Sequence, residues 1–183
     1  MIKHITTPLT PETISSLQAG DKVLISGIIY SARDAAHKRL FEMIKKGEKL
    51  PIELEGQIIY YVGPCPAKPG TVIGSAGPTT SGRMDAYTPL LLEKGLKGMI
   101  GKGFRSKEVV DAIVKNEAVY FGAIGGAGAL LADSIKSSKI VAFDDLGPEA
   151  IYEFKVENFP AIVIIDKYGN DHYKIGVEKY REI

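Results

Sequence analysis

The sequence predicts an α/β protein with a largely parallel central sheet, and three features indicate this class. From Lys22 to Phe143, short runs rich in Val and Ile alternate with stretches whose apolar residues recur at helical spacing. This is the pattern of strands connected by helices that cover both faces of a sheet. Glycines and prolines separate the stretches. Near the C-terminus, two apolar runs flank Lys167-Tyr168-Gly169-Asn170, which predicts a β-hairpin and therefore additional antiparallel strands.

The individual elements follow from apolar runs and from helix start and stop signals. The predicted strands span residues 2–6, 22–30, 57–62, 71–74, 98–100, 118–123, 139–143, 161–166 and 171–175. Predicted helices follow Thr10, Arg33-Asp34, Ser81-Gly82, Ser106, the glycines from Gly125, and Pro148.

Composition excludes several classes of protein. The chain has 183 residues, 45% of them hydrophobic and 25% charged, with a net charge of +1. This size fits one domain, and the near balance of charge argues against a non-specific nucleic-acid binder or a membrane-surface module. The first residues lack the apolar core of a signal peptide, and no run is long enough to span a membrane. The chain is therefore expected to be cytoplasmic.

Cys65 is the only cysteine. An intrachain disulfide is impossible, and cysteines of this chain cannot by themselves build a metal site. Cys65 stands between Pro64 and Pro66, in a loop without a neighbouring His or helix start to lower the pKa of its thiol. We expect a small packed residue there in preference to a reactive thiol.

The segment 70–105 contains the pattern most suggestive of a binding site. A predicted strand at 71–74 is followed by the turn Gly77–Gly82, which is rich in Gly, Pro and hydroxyl groups, and then by a helical stripe that stops at Gly95. A strand, a hydroxyl-rich loop and a helix start together can hold an anion, because free N–H groups and the helix dipole point at the loop. The pattern is equally that of an ordinary helix cap formed by Thr79, Thr80 or Ser81.

Two arginines occupy unfavourable positions in this prediction. Arg33 and Arg83 both lie at predicted strand-to-helix junctions, where the positive end of the helix dipole repels a cation. A bound anion would explain both, and the C-terminal ends of neighbouring parallel strands would bring them together. The simpler interpretation is a solvated helix face, on which His37 would be a partly exposed histidine.

Three segments in combination closely resemble one enzyme family. They are RDAAHKR (Arg33–Arg39), GPCPAKPG (Gly63–Gly70) and GPTTSGRMD (Gly77–Asp85), the last followed by Gly101-Lys102-Gly103. With the tail FPAIVIIDKYGND, they resemble the β subunit, equivalently the C-terminal region, of iron–sulfur-dependent class I fumarases and L-tartrate dehydratases. The resemblance covers essentially the whole chain. It implies a single catalytic domain over 1–183 with a swivelling β/β/α fold, in which a largely parallel sheet is joined by antiparallel strands.

The resemblance also implies an activity and its residues. The activity is a hydro-lyase reaction on a four-carbon dicarboxylate, either fumarate to L-malate or L-tartrate to oxaloacetate. By their motif positions Arg33 and Arg83 would bind substrate carboxylates, Thr79 would be the catalytic base, and Lys102 would be a further substrate contact. The cofactor would be a [4Fe–4S] cluster ligated by a partner alpha subunit in a hetero-oligomer, with no metal ligand from this chain.

Two other functions remain open at this point. The chain could be a non-catalytic swivelling domain that only binds a dicarboxylate or caps a partner. It could also be a nucleotide-binding domain that uses the loop Gly125–Gly128. The dinucleotide fingerprint G-x-G-x-x-G is absent there, since no glycine stands three residues after Gly128, and close helix–sheet packing explains these glycines better.

Overall fold

The computed structural model describes residues 1–124 and 126–181. In chain order the elements of this part are β1 (Ile2–Thr6), α1 (Pro11–Ser16), β2 (Lys22–Ser31), α2 (Asp34–Lys46), β3 (Ile58–Tyr60), a 3₁₀ turn (Ser81–Met84), α3 (Thr88–Glu93), β4 (Gly98–Gly101), α4 (Lys107–Lys115), β5 (Val119–Gly122), α5 (Gly128–Asp133), β6 (Ile135–Ala142), a second 3₁₀ segment (Asp144–Glu149), β7 (Ile151–Ile165) and α6 (His172–Tyr180). The predicted glycine-rich helix start at Gly125 lies outside the described residues.

The strands form one mixed sheet that closes on itself. Strands β1 to β5 lie side by side and parallel, in chain order. Strand β7 runs antiparallel to β5 on one side and to β2 on the other, so β2, β3, β4, β5 and β7 form a closed ring. Strand β6 pairs antiparallel with β7 outside the ring. The α/β class with a largely parallel sheet and added antiparallel strands is confirmed, whereas the closure was not predicted.

Closure depends on the length of β7 and on bends in its partners. β7 has 15 residues, enough to pair with β2 along most of its length, with β6 through its first half and with β5 through its second half. The β2–β7 register shifts between Ile25 and Gly27, and such a bulge bends a strand. Gly27 has φ +118° there, and a Cβ atom at this position would collide with Oγ1 of Thr7. Only glycine suits this bend.

Two hydrophobic cores lie on the two faces of the sheet. Alternate residues of each strand divide between them, so that Ile58 and Tyr60 face one core while Ile59 and Tyr61 face the other. The first core lies inside the ring. The second packs the outer face against α2, α3 and α4, through residues such as Leu40, Leu92 and Ile113. The helices therefore hold the outer surface of the parallel strands, and the C-terminal ends of those strands stay open to loops.

The residues at which helices begin and end were predicted most accurately. Thr10 caps α1 by accepting a hydrogen bond from the Thr13 amide, with Pro11 in the first position. Ser106 caps α4 in the same way through the Val109 amide. Helix α2 begins at Asp34 and ends at Gly47, whose φ of 70° is left-handed. These signals depend on neighbouring residues alone, and tertiary contacts do not alter them.

The prediction around residues 71–95 was wrong in two respects. Residues 71–74 are not a strand but part of an exposed loop, because the Gly74 amide and the Ser75 carbonyl bond to Cys65 of the preceding loop instead of to the sheet. The predicted helix is divided into the 3₁₀ turn Ser81–Met84 and the short α3, which has Pro89 in its first turn. A proline has no N–H for the preceding turn and favours a new helix start.

The predicted C-terminal hairpin was also wrong. Its first strand is the end of β7, and the turn at Gly169 is present with φ 83°. Asp171 then makes only an isolated bridge with Ile165, and its carboxylate accepts a hydrogen bond from the Tyr173 amide at 3.0 Å. This cap starts α6 where a strand was expected. The antiparallel pairing therefore comes from β7 with β2, β5 and β6.

Gly147 has non-helical backbone angles (φ 57°, ψ −122°) that divide the 3₁₀ segment Asp144–Glu149 into two short turns, and Pro148 begins the second of them. No helix within the described residues has the length and apolar character needed to cross a membrane.

Candidate active site

The four residues selected from the sequence lie at the C-terminal ends of three adjacent parallel strands. Arg33 follows β2, and Lys102 follows β4. Thr79 lies beside the end of β3, where its amide donates a hydrogen bond of 2.7 Å to the Tyr61 carbonyl. Loops at one edge of a parallel sheet converge, so this edge is the natural position for a ligand site.

Arg33 and Arg83 meet at the carboxylate of Asp34. Nε of Arg83 donates a hydrogen bond of 2.9 Å to Oδ1 of Asp34. Nε of Arg33 lies 3.9 Å from Oδ2 of Asp34 and 3.8 Å from Oε1 of Glu149, which are ionic distances too long for hydrogen bonds. Two arginines that are 50 positions apart in the sequence therefore share one acidic neighbour.

The carboxylate of Asp34 gives both arginines an acidic neighbour that belongs to the chain itself. Arg83 lies in the 3₁₀ turn and not at the start of an α-helix, so a helix dipole does not repel it. Arg33 is the N-cap of α2, without a side-chain capping bond. The anion beside both arginines is a carboxylate of the chain itself, and a bound ligand is not required to explain their positions. Asp34 could have been found from the sequence, because it follows Arg33 directly.

The Arg33 side chain is held against the backbone of the loop after β3. A Cβ atom at Gly63 would lie 2.5 Å from Nη1 of Arg33 and 2.9 Å from its Cδ. These separations are much shorter than the 3.5–4.0 Å of a favourable nonbonded contact. Gly63 therefore has no side chain because the guanidinium of Arg33 occupies the space.

Thr79 and Lys102 are coupled through the backbone. Thr80 and Lys102 form a parallel bridge, and the Ser81 amide donates a hydrogen bond of 2.9 Å to the Lys102 carbonyl. Thr79 is half-buried and Lys102 is exposed. Lys102 has no carboxylate within 4.0 Å among residues 1–124 and 126–181, so its charge is available at this edge.

A buried ion pair beneath these loops was missed in the sequence. Nε of Arg105 donates a hydrogen bond of 2.7 Å to Oδ1 of Asp85, and Oδ2 of Asp85 accepts one of 2.6 Å from the Ser106 amide. Nη2 of Arg105 also donates to Oγ1 of Thr88 at 2.9 Å. The pair fixes the loop that carries Thr79 and Arg83 to the loop that carries Lys102. An arginine in a glycine-rich loop gives no sequence signal that its side chain is buried.

His37 is fully buried, although the sequence predicted a partly exposed histidine. Its Nδ1 lies 2.9 Å from the Arg33 carbonyl, and its ring packs edge-on against Tyr61 with centroids 5.1 Å apart. Nε2 is buried without a hydrogen-bond partner in the described part of the chain. Burial lowers the pKa of His37 to about 4, so at neutral pH the ring is uncharged. It lies one helical turn after Arg33, beneath the site.

A cavity beside this edge has one of the four residues, Lys102, in its lining. It has a volume of about 850 Å³ and is bounded by β5, β7 and α6, with Lys102 at its rim. Its walls are mainly apolar, with Ile162, Ile164 and Val177 among the residues that line it. The two arginines are not among the residues that line it, and Arg33 is half-buried whereas Arg83 is exposed.

The described residues do not offer a site for a metal ion or cluster. No group of three or more His, Cys, Asp or Glu side chains in residues 1–124 and 126–181 is arranged to hold a metal. Cys65 is exposed, which corrects the expectation that it is packed. Its loop turns outward between Pro64 and Pro66, because the backbone of Cys65 pairs with the loop at Ser75 and not with the sheet.

The fold and this edge together define an α/β domain with a closed mixed sheet that presents two arginines, a threonine and a lysine on loops after adjacent parallel strands. The chain belongs to the Fumarase C-terminus family, whose model matches residues 2–176.

Proteins from three organisms are similar to most of the chain. It is 43% identical over 164 residues to "Fumarate hydratase 2" of Leishmania major, and 42% identical over 168 residues to "Fumarate hydratase class I, anaerobic" of Escherichia coli. These alignments cover 88% and 91% of the chain but only 29% and 31% of the relatives. The "Putative L(+)-tartrate dehydratase subunit beta" of Methanocaldococcus jannaschii is 42% identical over 172 residues, which cover 91% of the chain and 88% of that protein. The chain thus spans about a third of the fumarate hydratases and nearly all of the tartrate dehydratase subunit.

We predict that Gly63→Ala displaces Arg33. The added methyl group would lie 2.5 Å from Nη1, so the guanidinium must move by about 1 Å or more to restore a normal contact. The crystal structure of the variant should show it away from Asp34 and Glu149. Gly82→Ala is the control, since the nearest atom to its methyl group would be the Phe104 carbonyl oxygen at 3.8 Å. An unmoved Arg33 in the Gly63 variant would contradict the steric argument.

We predict that His37 makes the fold sensitive to acid. The pKa of His37 falls from 6.5 to about 4 on folding, so between these values the unfolded chain binds a proton that the folded chain does not. The contribution of the uncharged His37 ring to the free energy of unfolding is fully present above pH 6.5 and is lost as the pH falls towards 4. It amounts to about 3 kcal/mol. The measurement is urea unfolding at several pH values.

The variant His37→Phe should lose this part of the pH dependence and keep the packing against Tyr61. The Arg33 carbonyl remains hydrogen-bonded in this variant, because it also accepts from the backbone amide of residue 37 at 2.8 Å. His4 is exposed, and His4→Gln should retain the whole dependence. If the free energy of unfolding depended on pH with the same slope in wild type and in His37→Phe, His37 would not be the cause of the acid sensitivity.

Proposed function

We propose that this chain, over 1–183, is the β-type catalytic domain of an iron–sulfur-dependent hydro-lyase that reversibly hydrates fumarate to L-malate. The observation that carries the proposal is the convergence of Arg33, Thr79, Arg83 and Lys102 on one edge of the sheet, in a member of the Fumarase C-terminus family. The resemblance to swivelling β/β/α domains is part of the same proposal, and the closed mixed sheet with antiparallel β6 and β7 is compatible with it.

In this proposal Arg33 and Arg83 bind the two carboxylates of the substrate. A planar guanidinium binds a carboxylate through two parallel hydrogen bonds, which a lysine cannot do. In the described residues the side-chain hydrogen bond of Arg83 uses only Nε, and Nε of Arg33 has no hydrogen-bond partner. The terminal nitrogens of both side chains are therefore available to a dianion.

Thr79 is proposed as the base that moves the substrate proton, with Lys102 beside it. A threonine hydroxyl is a weak base unless nearby cations stabilise its deprotonated form. Asp34 and Glu149 balance much of the charge of the two arginines, so Lys102 is the cation that supports this role best. The Thr80–Lys102 bridge holds the two segments together.

The cofactor is proposed to be a [4Fe–4S] cluster ligated by a partner alpha subunit. The residues of this chain do not fit such a cluster, since Cys65 is its single cysteine and three protein ligands are needed when one iron is left open. None of the roles assigned to the four residues passes through the cluster. The relative named as a "subunit beta" supports a hetero-oligomer of alpha and beta chains.

A second candidate is the β subunit of an L(+)-tartrate dehydratase, which converts tartrate to oxaloacetate. It is favoured by the match to nearly the full length of the Methanocaldococcus jannaschii subunit. Fumarate and tartrate are both four-carbon dicarboxylates, and the two-arginine edge suits either. The non-catalytic alternative, a domain that only binds a dicarboxylate, shares this edge but requires no Thr79 chemistry.

Reconstitution with the native cluster-bearing chain tests the function. Assembled without oxygen, the two chains should interconvert malate and fumarate, and each chain alone should be inactive. L(+)-tartrate should be assayed in parallel, because faster turnover of tartrate would favour the second candidate. The variant Cys65→Ser should leave activity unchanged. An assembled complex that binds a dicarboxylate but converts neither substrate would support the non-catalytic alternative.

We predict that Thr79→Ala nearly abolishes kcat in the reconstituted enzyme while KM changes little, because only the proton transfer is removed. Thr79→Ser keeps a hydroxyl and should recover a measurable part of the rate. If Thr79 only shaped the loop, Thr79→Ala would instead lower Tm with near-normal kcat. Steady-state kinetics and thermal unfolding of the same two variants decide between these roles.

A further inference from the structure

We infer that Asp34 is a positioning residue, which orients Arg33 and Arg83 so that their terminal nitrogens face the substrate. The inference rests on the proposed function. It adds to that function a residue to which neither the motif comparison nor the relatives give a role.

Asp34 holds Arg83 by the inner edge of its guanidinium. The hydrogen bond from Nε to Oδ1 is 2.9 Å long, and it is the only hydrogen bond of the Arg83 side chain within the described residues. Arg83 is about half exposed, so without this bond its long side chain would sample several rotamers in solvent. With Nε engaged, Nη1 and Nη2 remain for an end-on pair of hydrogen bonds to a carboxylate.

Asp34 also faces Arg33, from the start of the same helix. Nε of Arg33 and Oδ2 of Asp34 are both buried without a hydrogen-bond partner, and they lie 3.9 Å apart. Buried polar atoms almost always have a hydrogen-bond partner, and these two atoms are exceptions. Their opposite charges lie close together without a hydrogen bond between them. The other face of Arg33 lies against Gly63. Nε is thus turned inward here as well.

In both arginines, one part of the guanidinium group faces a carboxylate of the chain and another part is left to bind the substrate. Nε of Arg83 is hydrogen-bonded to Asp34, whereas Nε of Arg33 faces two carboxylates, Asp34 at 3.9 Å and Glu149 at 3.8 Å. In the described part of the chain, the ionic contacts of both arginines are made through Nε and not through the terminal nitrogens. Because Asp34 has a short side chain and lies in helix α2, it can in this way orient the guanidinium groups of two arginines from different segments. A substrate dianion then meets two oriented guanidinium groups and does not have to order them.

The competing explanation is that Asp34 only balances the positive charge of the two arginines. The two explanations predict opposite effects of removing Asp34 on the binding of a dianion. If Asp34 only reduced the positive charge, its removal would strengthen dianion binding. If Asp34 orients the arginines, its removal weakens binding. Asp34→Asn keeps an oxygen acceptor for Nε of Arg83 without the charge, whereas Asp34→Ala removes both.

The test compares Asp34→Ala, Asp34→Asn and the control Asp145→Ala. Asp145 is exposed and accepts two hydrogen bonds, of 2.7 and 2.8 Å, from Arg39, which lies on helix α2 like Asp34; Asp145 has no ion pair with Arg33 or Arg83 within the described residues. In the reconstituted enzyme we expect KM for the dicarboxylate to rise at least tenfold in Asp34→Ala, to rise less in Asp34→Asn and to stay unchanged in Asp145→Ala. A role limited to helix stability would lower Tm equally in both Asp34 variants, because both lose the charge at the helix start.

A second readout does not depend on catalysis. In the full chain alone, the NMR signal of the Arg83 Nε–H group, assigned by its loss in Arg83→Lys, should be resolved in wild type and in Asp145→Ala and broadened or lost in Asp34→Ala. An unchanged signal in Asp34→Ala would overturn the inference, as would an unchanged or lowered KM. If wild type turned over no dicarboxylate, the proposed function would fail together with the substrate role of Asp34, while the NMR signal would still show whether Asp34 holds Arg83.

Discussion

The antiparallel pairing of β7 with both β2 and β5 is the constraint on which the rest of the structure depends. Five parallel strands alone would leave an open edge at β5, and β7 covers it while returning to β2. The closed ring fixes the strands around an interior core and leaves α2, α3 and α4 to cover the outer face. As a result, the loops at the C-terminal ends of β2, β3 and β4 rise from a rigid edge, which is where precise side-chain geometry is easiest to maintain.

Polar contacts at this edge are organised in two levels. Below the loops, the buried pair of Arg105 and Asp85 ties the loop that carries Arg83 to the one that carries Lys102. At the surface, Asp34 joins Arg33 to Arg83. Breaking a buried ion pair leaves an uncompensated charge and is costly, so the lower level is stable. The upper level is partly exposed.

The sequence predicted four residues that the structure places at one edge of the sheet, but it did not predict the closure of that sheet. The roles of Arg33, Thr79 and Arg83 came from the resemblance and stay predictions, whereas the alternation of strands and helices implied that their loops share one edge. The helix-dipole explanation was wrong for Arg83, which lies in a 3₁₀ turn, whereas Arg33 does stand at the start of α2 as predicted. The carboxylate of Asp34, which is adjacent to Arg33 in the sequence, faces both arginines.

By itself the sequence determined the features that depend on neighbouring residues: the α/β class, the caps at Thr10 and Ser106, and the helix end at Gly47. Tertiary structure alone decided what depends on residues far apart in the chain. Closure by β7 and the meeting of Arg83 with Asp34 are pairings between distant segments. Their registers are set by packing and bulges, which leave no periodic signal in the sequence. A side chain such as that of Arg105 is buried for the same reason.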